Sequence, residues 1–299
     1  MQTSPEPAGP GPAGPEPSSP ESSSPESGSP GPAARDARSQ ELAANLDAVH
    51  ARIDRAMAAV GRQDRPELIV VTKFFPAADV LRLYRLGVRD VGENRDQEAA
   101  AKAAEVAQLL LGDAGASTAV DSAAGDSVAA TGRGSAPAQD GLHWHFIGQL
   151  QSNKARSVID YADHLHSVDR ASLLKALVKA APARDGLPLT CLIQVDLRDP
   201  VPTDGRGGAD PAQIPELAER IAEAPGLQLG GLMAVAPLHQ DPAPAFRRLA
   251  ELSAQLRLAH PEARMISAGM SGDLEEAVAH GATHLRVGRD VLGERPLQR

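Results

Sequence analysis

The 299 residues are 42% hydrophobic and 23% charged, enough for one large core, and carry a formal net charge of −9. That acidity argues against nucleic acid as the main partner, and the single cysteine, Cys191, excludes an intramolecular disulfide and fits a reducing, cytoplasmic setting. No apolar run nears the roughly 18 residues of a membrane span, and the Pro/Ser/Gly/Glu start is neither basic nor apolar, so neither anchor nor secretory leader is expected.

Two segments stand apart in composition. Met1–Ala34 is a Pro/Ser/Glu/Gly tract without apolar periodicity; it predicts a disordered tail, with the folded domain taken to begin at residue 37. Gly112–Gly141 is rich in Ala, Gly, Ser and Asp and predicts a flexible loop insertion. Seven of the nine net negative charges lie in these two segments, so the acidity says little about a ligand.

The first helix is read from Leu42, Leu46, Val49, Ile53, Met57 and Val60, one apolar stripe at spacings of three and four. Short apolar runs then alternate with helices. Leu68–Thr72 precedes a helix near Ala77–Leu86, Val88–Val91 one near Arg95–Leu110, and Trp144–Ile147 one near Ser152–Asp160. His164–Val168 precedes a helix capped by Asp169, Leu189–Asp196 one near Pro211–Ala224, and Leu229–Val235 a long one near Pro244–His260. Arg264–Ser267 precedes a helix near Asp273–His280, and Thr283–Val287 closes the series before a short helical piece at Asp290–Leu292. Eight strand–helix repeats in about 235 residues predict a single α/β domain, a (β/α)8 TIM barrel.

Chemistry in such a barrel sits at the C-terminal strand ends. Of the five lysines, Lys102, Lys175 and Lys179 fall in helices and read as solvated, and Lys154 opens the helix after the third strand. Only Lys73 ends an apolar strand, in Leu68-Ile-Val-Val-Thr-Lys73. Desolvation there favours the neutral amine, the form that condenses with an aldehyde; the plainer alternative is a lysine that snorkels to the rim. The last two strands end in glycine-rich turns. Gly269-Met270-Ser271-Gly272-Asp273 leads into a helix with Ser271 or Gly272 as N-cap, and Arg286-Val287-Gly288 follows the eighth strand. Both turns suit an anion, although ordinary strand-to-helix turn chemistry explains them too. Barrel closure puts them beside Lys73, so a phosphate-bearing aldehyde is a natural ligand.

These residues resemble the pyridoxal phosphate homeostasis protein family, known as YggS or PROSC, from about Ser39 to Pro296. The matching motifs are Val71-Thr72-Lys73, Gly92-Glu93-Asn94-Arg95-Asp96-Gln97-Glu98, His145-Phe146-Ile147-Gly148-Gln149 through Lys154, His166-Ser167-Val168-Asp169, Gly231-Leu232-Met233, and the two terminal turns. The resemblance implies the fold type III barrel of the alanine racemase N-terminal domain without its C-terminal β domain. It implies pyridoxal 5′-phosphate (PLP) as a Schiff base on Lys73, phosphate contacts from Ser271 and Gly288, and Asn94 and Arg286 near the ring. It implies a non-catalytic role in PLP homeostasis, with PLP-dependent apoenzymes as candidate partners. Where members often carry a threonine after the Arg-x-Gly turn, this chain has Arg289.

The alternative function is an amino-acid racemase. Related racemases use a tyrosine from an added β domain as second base; the tyrosines here, Tyr84 and Tyr161, lie in or beside predicted helices. His143, Trp144 and His145 have metal-ligand spacing, but strand alternation explains them, with Trp144 toward the helices and His145 inside. Glu93 is read equally as an acid or a helix cap, Asn153 and Lys154 as mouth residues or a helix start, and Cys191 as core. A monomer is expected.

Overall fold

The computed structural model describes residues 32–117, 141–184, 186–198 and 207–295. Eight parallel strands close into a barrel in sequential order, the last pairing with the first. They are β1 (Glu67–Val71), β2 (Asp90–Glu93), β3 (His143–Phe146), β4 (His164–Val168), β5 (Leu189–Gln194), β6 (Leu227–Met233), β7 (Met265–Ser267) and β8 (His284–Val287). The helices are α1 (Pro32–Ala59), α2 (Ala77–Arg85), α3 (Asp96–Ser117), α4 (Ala155–Tyr161), α5 (Ala171–Ala180), α6 (Ile214–Ala222), α7 (Pro242–Ala259), α8 (Leu274–Ala279) and α9 (Arg289–Leu292).

All eight expected runs form strands, with ends displaced by a few residues. Hydropathy marks where a run is buried; the ladder marks where it pairs. Val88 is buried, for example, but pairing with β3 begins at Asp90, opposite His143. Strands of a parallel barrel are covered on both faces, so the apolar runs are nearly continuous rather than alternating. Leu165, Cys191, Ile193 and Leu232 are all fully buried.

Leu42, Leu46, Val49 and Ile53 of α1 are buried, as their spacing requires. Val60 departs from that stripe: α1 ends at Ala59, the chain turns through Gly61 at φ 66°, and Val60 is exposed. Polar bonds tie α1 to the end of the barrel: Arg38 donates to Asp79 at 2.9 Å and to the Leu292 carbonyl at 3.0 Å, and Asn45 to the Val291 carbonyl at 3.0 Å. The expected tail lies outside the described residues up to residue 31, and α1 begins at Pro32. α3 runs to Ser117, into the expected insertion, whose residues 118–140 also lie outside the described set. Asp169 does not cap α5. The N-cap is Arg170, without a side-chain cap bond, and the Asp169 carboxylate accepts from the Arg170 guanidinium at 2.5 Å instead. Among the described residues no helix is long and apolar enough to cross a membrane.

Candidate functional site

β1 ends at Val71, and the next two residues carry the chain over the barrel mouth. Pairing of Ile69 with Arg286 and Val70 with Val287 brings Lys73 beside the turn after β8. A Cβ on Gly288 would stand 3.2 Å from the Val71 carbonyl oxygen, so glycine is what allows β8 to leave the barrel this close to β1. Lys73, Ser271, Arg286 and Gly288 line one cavity of about 330 Å³, the scale of a small-molecule site. Arg289 and Arg295 join them, and the described lining contains no carboxylate.

Lys73 is half-buried, and desolvation holds its amine below the ordinary lysine range. The positive fields of Arg295 and Arg95 act the same way, against the opposing pull of Glu93. Phe74, directly after it, adopts φ 70°, an uncommon conformation for a non-glycine residue and one that marks stored backbone strain. Its ring lies 5.0 Å from both the Arg95 and Arg295 guanidinium carbons and 6.0 Å from the Lys73 amine. Cation–π attraction to three positive groups offsets that strain.

The turn after β7 differs from expectation in its cap. Asp273, not Ser271 or Gly272, is the N-cap of α8, and its carboxylate accepts from the Met270 N–H at 2.6 Å. This leaves the Ser271 and Gly272 N–H groups and the Ser271 hydroxyl without partners among the described residues, at the cavity wall. Arg286 is buried. It donates to the Ser267 hydroxyl at 2.6 Å and to the Ala234 carbonyl at 2.9 Å, and burial lowers its guanidinium to about 10.

Asn94 lies elsewhere. It lines the neighbouring cavity at the ends of β2 and β3, with Arg95, Asp96, Gln149, Lys154 and Arg170. Gly148 permits that arrangement, because any Cβ there would overlap the Asn94 backbone oxygen at 2.2 Å.

Two residues behind Lys73 form a pair that the sequence reading does not join. Lys102 is buried rather than solvated: it donates to the Thr72 carbonyl at 2.9 Å and to Glu93 Oε1 at 2.5 Å. Glu93 caps no helix; the Thr72 hydroxyl also donates to it, at 2.7 Å. A signal existed, since Lys102 falls in the stripe of Ala99, Ala103 and Val106, all buried. Trp144 packs outward and His145 is enclosed in the barrel, as alternation requires. Among the described residues no group of three or more His, Cys, Asp and Glu side chains is arranged to hold a metal ion. Neither Tyr84 nor Tyr161 lines the Lys73 cavity. Tyr84 stacks on Arg89 at 4.3 Å, and burial pushes the Tyr161 phenol far above its ordinary range.

Residues 44–296 match the model of the alanine racemase N-terminal domain. A "Pyridoxal phosphate homeostasis protein" of Mycobacterium tuberculosis is 41% identical over 275 residues, spanning 87% of this chain and 95% of that protein. The structure of PipY of Synechococcus elongatus with PLP bound is 30% identical, with TM-score 0.63, covering 84% of this chain and all of PipY. A protein of Bifidobacterium adolescentis, described as unknown, is 29% identical with TM-score 0.71, covering 86% of this chain and 96% of its own. The chain therefore belongs to the alanine racemase N-terminal domain family and, within it, to the pyridoxal phosphate homeostasis proteins.

Proposed function

We propose that this chain holds PLP in the cavity over Lys73 and serves PLP homeostasis as a carrier, without conventional turnover. One observation carries the reading: an amine held below the lysine range shares a carboxylate-free cavity with unpartnered backbone donors and three arginines. The name of the mycobacterial relative and the PLP in PipY support it.

The residues present fit the group. When bound, PLP supplies an aldehyde carbon for the amine to join and a dianionic phosphate. Lys73 is the tether. The Ser271 hydroxyl and the Ser271 and Gly272 N–H groups serve the phosphate, and Gly288 keeps the wall beside it open. Arg289, exposed at the rim, supplies further positive charge. Arg286 is the candidate neighbour of the ring nitrogen; a guanidinium there disfavours nitrogen protonation and weakens the ring as an electron sink. Asn94 stands one cavity away from Lys73 and is assigned to the border of the site rather than to the tether. Because neither tyrosine reaches this cavity, the second base of a racemase has no candidate among them.

The deciding experiment is an absorbance spectrum of the protein saturated with PLP, followed by borohydride reduction and peptide mass mapping. The expected result is a visible band and a label on Lys73, both lost in Lys73→Ala. A protein that stays colourless, or a label on another lysine, defeats the tether. Racemisation of D- or L-alanine at an enzyme's pace defeats the carrier reading.

A further inference from the structure

Arg286 is a buried cation at the wall of the mouth cavity, hydrogen-bonded to no carboxylate among the described residues; Asp273 is the carboxylate whose charge reaches it, and a hydrogen-bonded chain leads from Arg286 to the far end of the barrel. Its Nη1 donates to Ser267 Oγ at 2.6 Å. Ser267 Oγ lies 2.9 Å from His166 Nδ1, His166 Nε2 lies 2.9 Å from His145 Nδ1, and His145 Nε2 lies 2.9 Å from Asp90 Oδ1. Ser267, His166 and His145 are each at most 1% exposed. The chain thus runs through the buried barrel core from the mouth cavity to Asp90. Asp90 lines a separate cavity of about 380 Å³ with Glu67, Arg65, Arg89 and residues of α1.

The protons in this chain can be counted. Four gaps need one proton each. Arginine only donates, so it fills the gap to Ser267; an ionised Asp90 only accepts, so it fills none. With both imidazoles taken as neutral, three groups serve the three remaining gaps, with one proton apiece. The arrangement that follows has Ser267 donating to His166 Nδ1, His166 Nε2–H to His145 Nδ1, and His145 Nε2–H to Asp90. Every dipole then points the same way, from cation to anion, and such chains strengthen cooperatively. The end states agree with this: Asp90 is held far below the carboxylate range despite its burial, by bonds from His143 and His145, and desolvation keeps His166 well below the histidine range. The groups facing the chain are His143, 3.2 Å from the same Asp90 oxygen, and His164, stacked on His145 at 4.2 Å; His284 and Glu67 also sense its charges, and Asp273 acts on Arg286 at the other end.

We infer that Asp90 is a positioning residue for Arg286, setting its orientation across the barrel through the one-way relay of His145, His166 and Ser267. The relay stands on the protein alone; its consequence for a ligand ring rests on the PLP reading above.

The first test needs no ligand. Long-range 15N–1H NMR of the histidine-labelled full chain without PLP is expected to show His145 and His166 both protonated at Nε2 only. A His166 that carries its proton on Nδ1, or on both nitrogens, overturns the relay. The second test follows the pH midpoint of the visible absorbance of the PLP-saturated protein. Asp90→Asn keeps an acceptor oxygen but removes the charge, and Ser267→Ala cuts the chain at its other end. Each is expected to move the midpoint by about half a pH unit or more, a threefold change in the equilibrium, while Ser267→Thr restores the native value. If Asp90→Asn does not fold, the two Ser267 variants decide alone. A merely structural role moves the melting temperature and leaves the midpoint in place, and that outcome overturns the positioning role. A chain with the expected tautomers that takes up no PLP defeats the proposed function and leaves the relay standing.

Discussion

The Lys102 ammonium lies 2.5 Å from Glu93 Oε1 inside the barrel wall, and the same ammonium holds the carbonyl of Thr72, the residue before Lys73. The pair clamps the end of β1 to the end of β2. Removing one partner of a buried pair strands the other charge, at a cost of about 3–5 kcal/mol. Lys102→Met is therefore expected to lower the unfolding free energy by about 3 kcal/mol, and Lys102→Met combined with Glu93→Gln to recover a large part of it, because the second change removes the stranded carboxylate. Urea unfolding monitored by circular dichroism measures both. A single-variant loss below about 1 kcal/mol would mean that the pair contributes no more than an exposed one.

Gly288 supports a second prediction. A methyl group added there would meet the Val71 carbonyl at 3.2 Å and the Val71 Cβ at 3.3 Å, closer than ordinary contact. Gly288→Ala is expected to push β8 and β1 apart by a few tenths of an ångström, destabilising the protein by about 1–3 kcal/mol, the usual cost of overpacking. The shift falls beside the amine and the phosphate turn together. PLP retention during dialysis should therefore drop more than in Ser271→Ala, which removes one hydroxyl and leaves the backbone donors. Equal retention in the two variants would remove Gly288 from the site.

The fold was legible because hydropathy alternates with two periods along the chain, and eight repeats of that alternation close a sheet. The Lys73 end of the site was legible for a related reason: a lysine after Leu-Ile-Val-Val-Thr has nowhere to go but the mouth. Strand ends were less clear, because Val88 is buried without being paired. The cap of α8 was misplaced because Ser271, Gly272 and Asp273 are all good cap residues, and only the Met270 N–H bond to Asp273 selects among them. The relay was illegible. His145, His166, Ser267 and Arg286 sit on four different strands, and only closure of the barrel brings them into one line.

Cys191 was read as core, and it is fully buried in β5 with its thiol pushed up to about 12 by desolvation. The thiolate is the reactive form, so alkylation is suppressed twice, by access and by ionisation. Iodoacetamide at neutral pH is expected to leave the folded chain unlabelled over hours and to label it within minutes in denaturant. Rapid labelling of the folded protein would show β5 to be open on that timescale.

The last prediction concerns the pH at which Lys73 becomes reactive. Its amine is depressed first by desolvation, then by Arg295 and Arg95, which share the Phe74 ring with it. A depressed lysine loses its proton at lower pH than a free lysine side chain, so its neutral, reactive fraction at pH 7 is larger. Acetic anhydride used at trace level, read by peptide mass spectrometry across pH, should give Lys73 a midpoint below that of a lysine in a model peptide. Arg295→Ala and Arg95→Ala each remove a like charge, so each should raise the Lys73 midpoint toward the ordinary lysine value. Both arginines are exposed, so the shift should shrink as ionic strength shortens the screening length. Desolvation does not depend on salt. A Lys73 midpoint that stays depressed in the double variant therefore measures burial alone, whereas one that returns to the model-peptide value would mean that the arginines, not the apolar end of β1, make this amine a nucleophile.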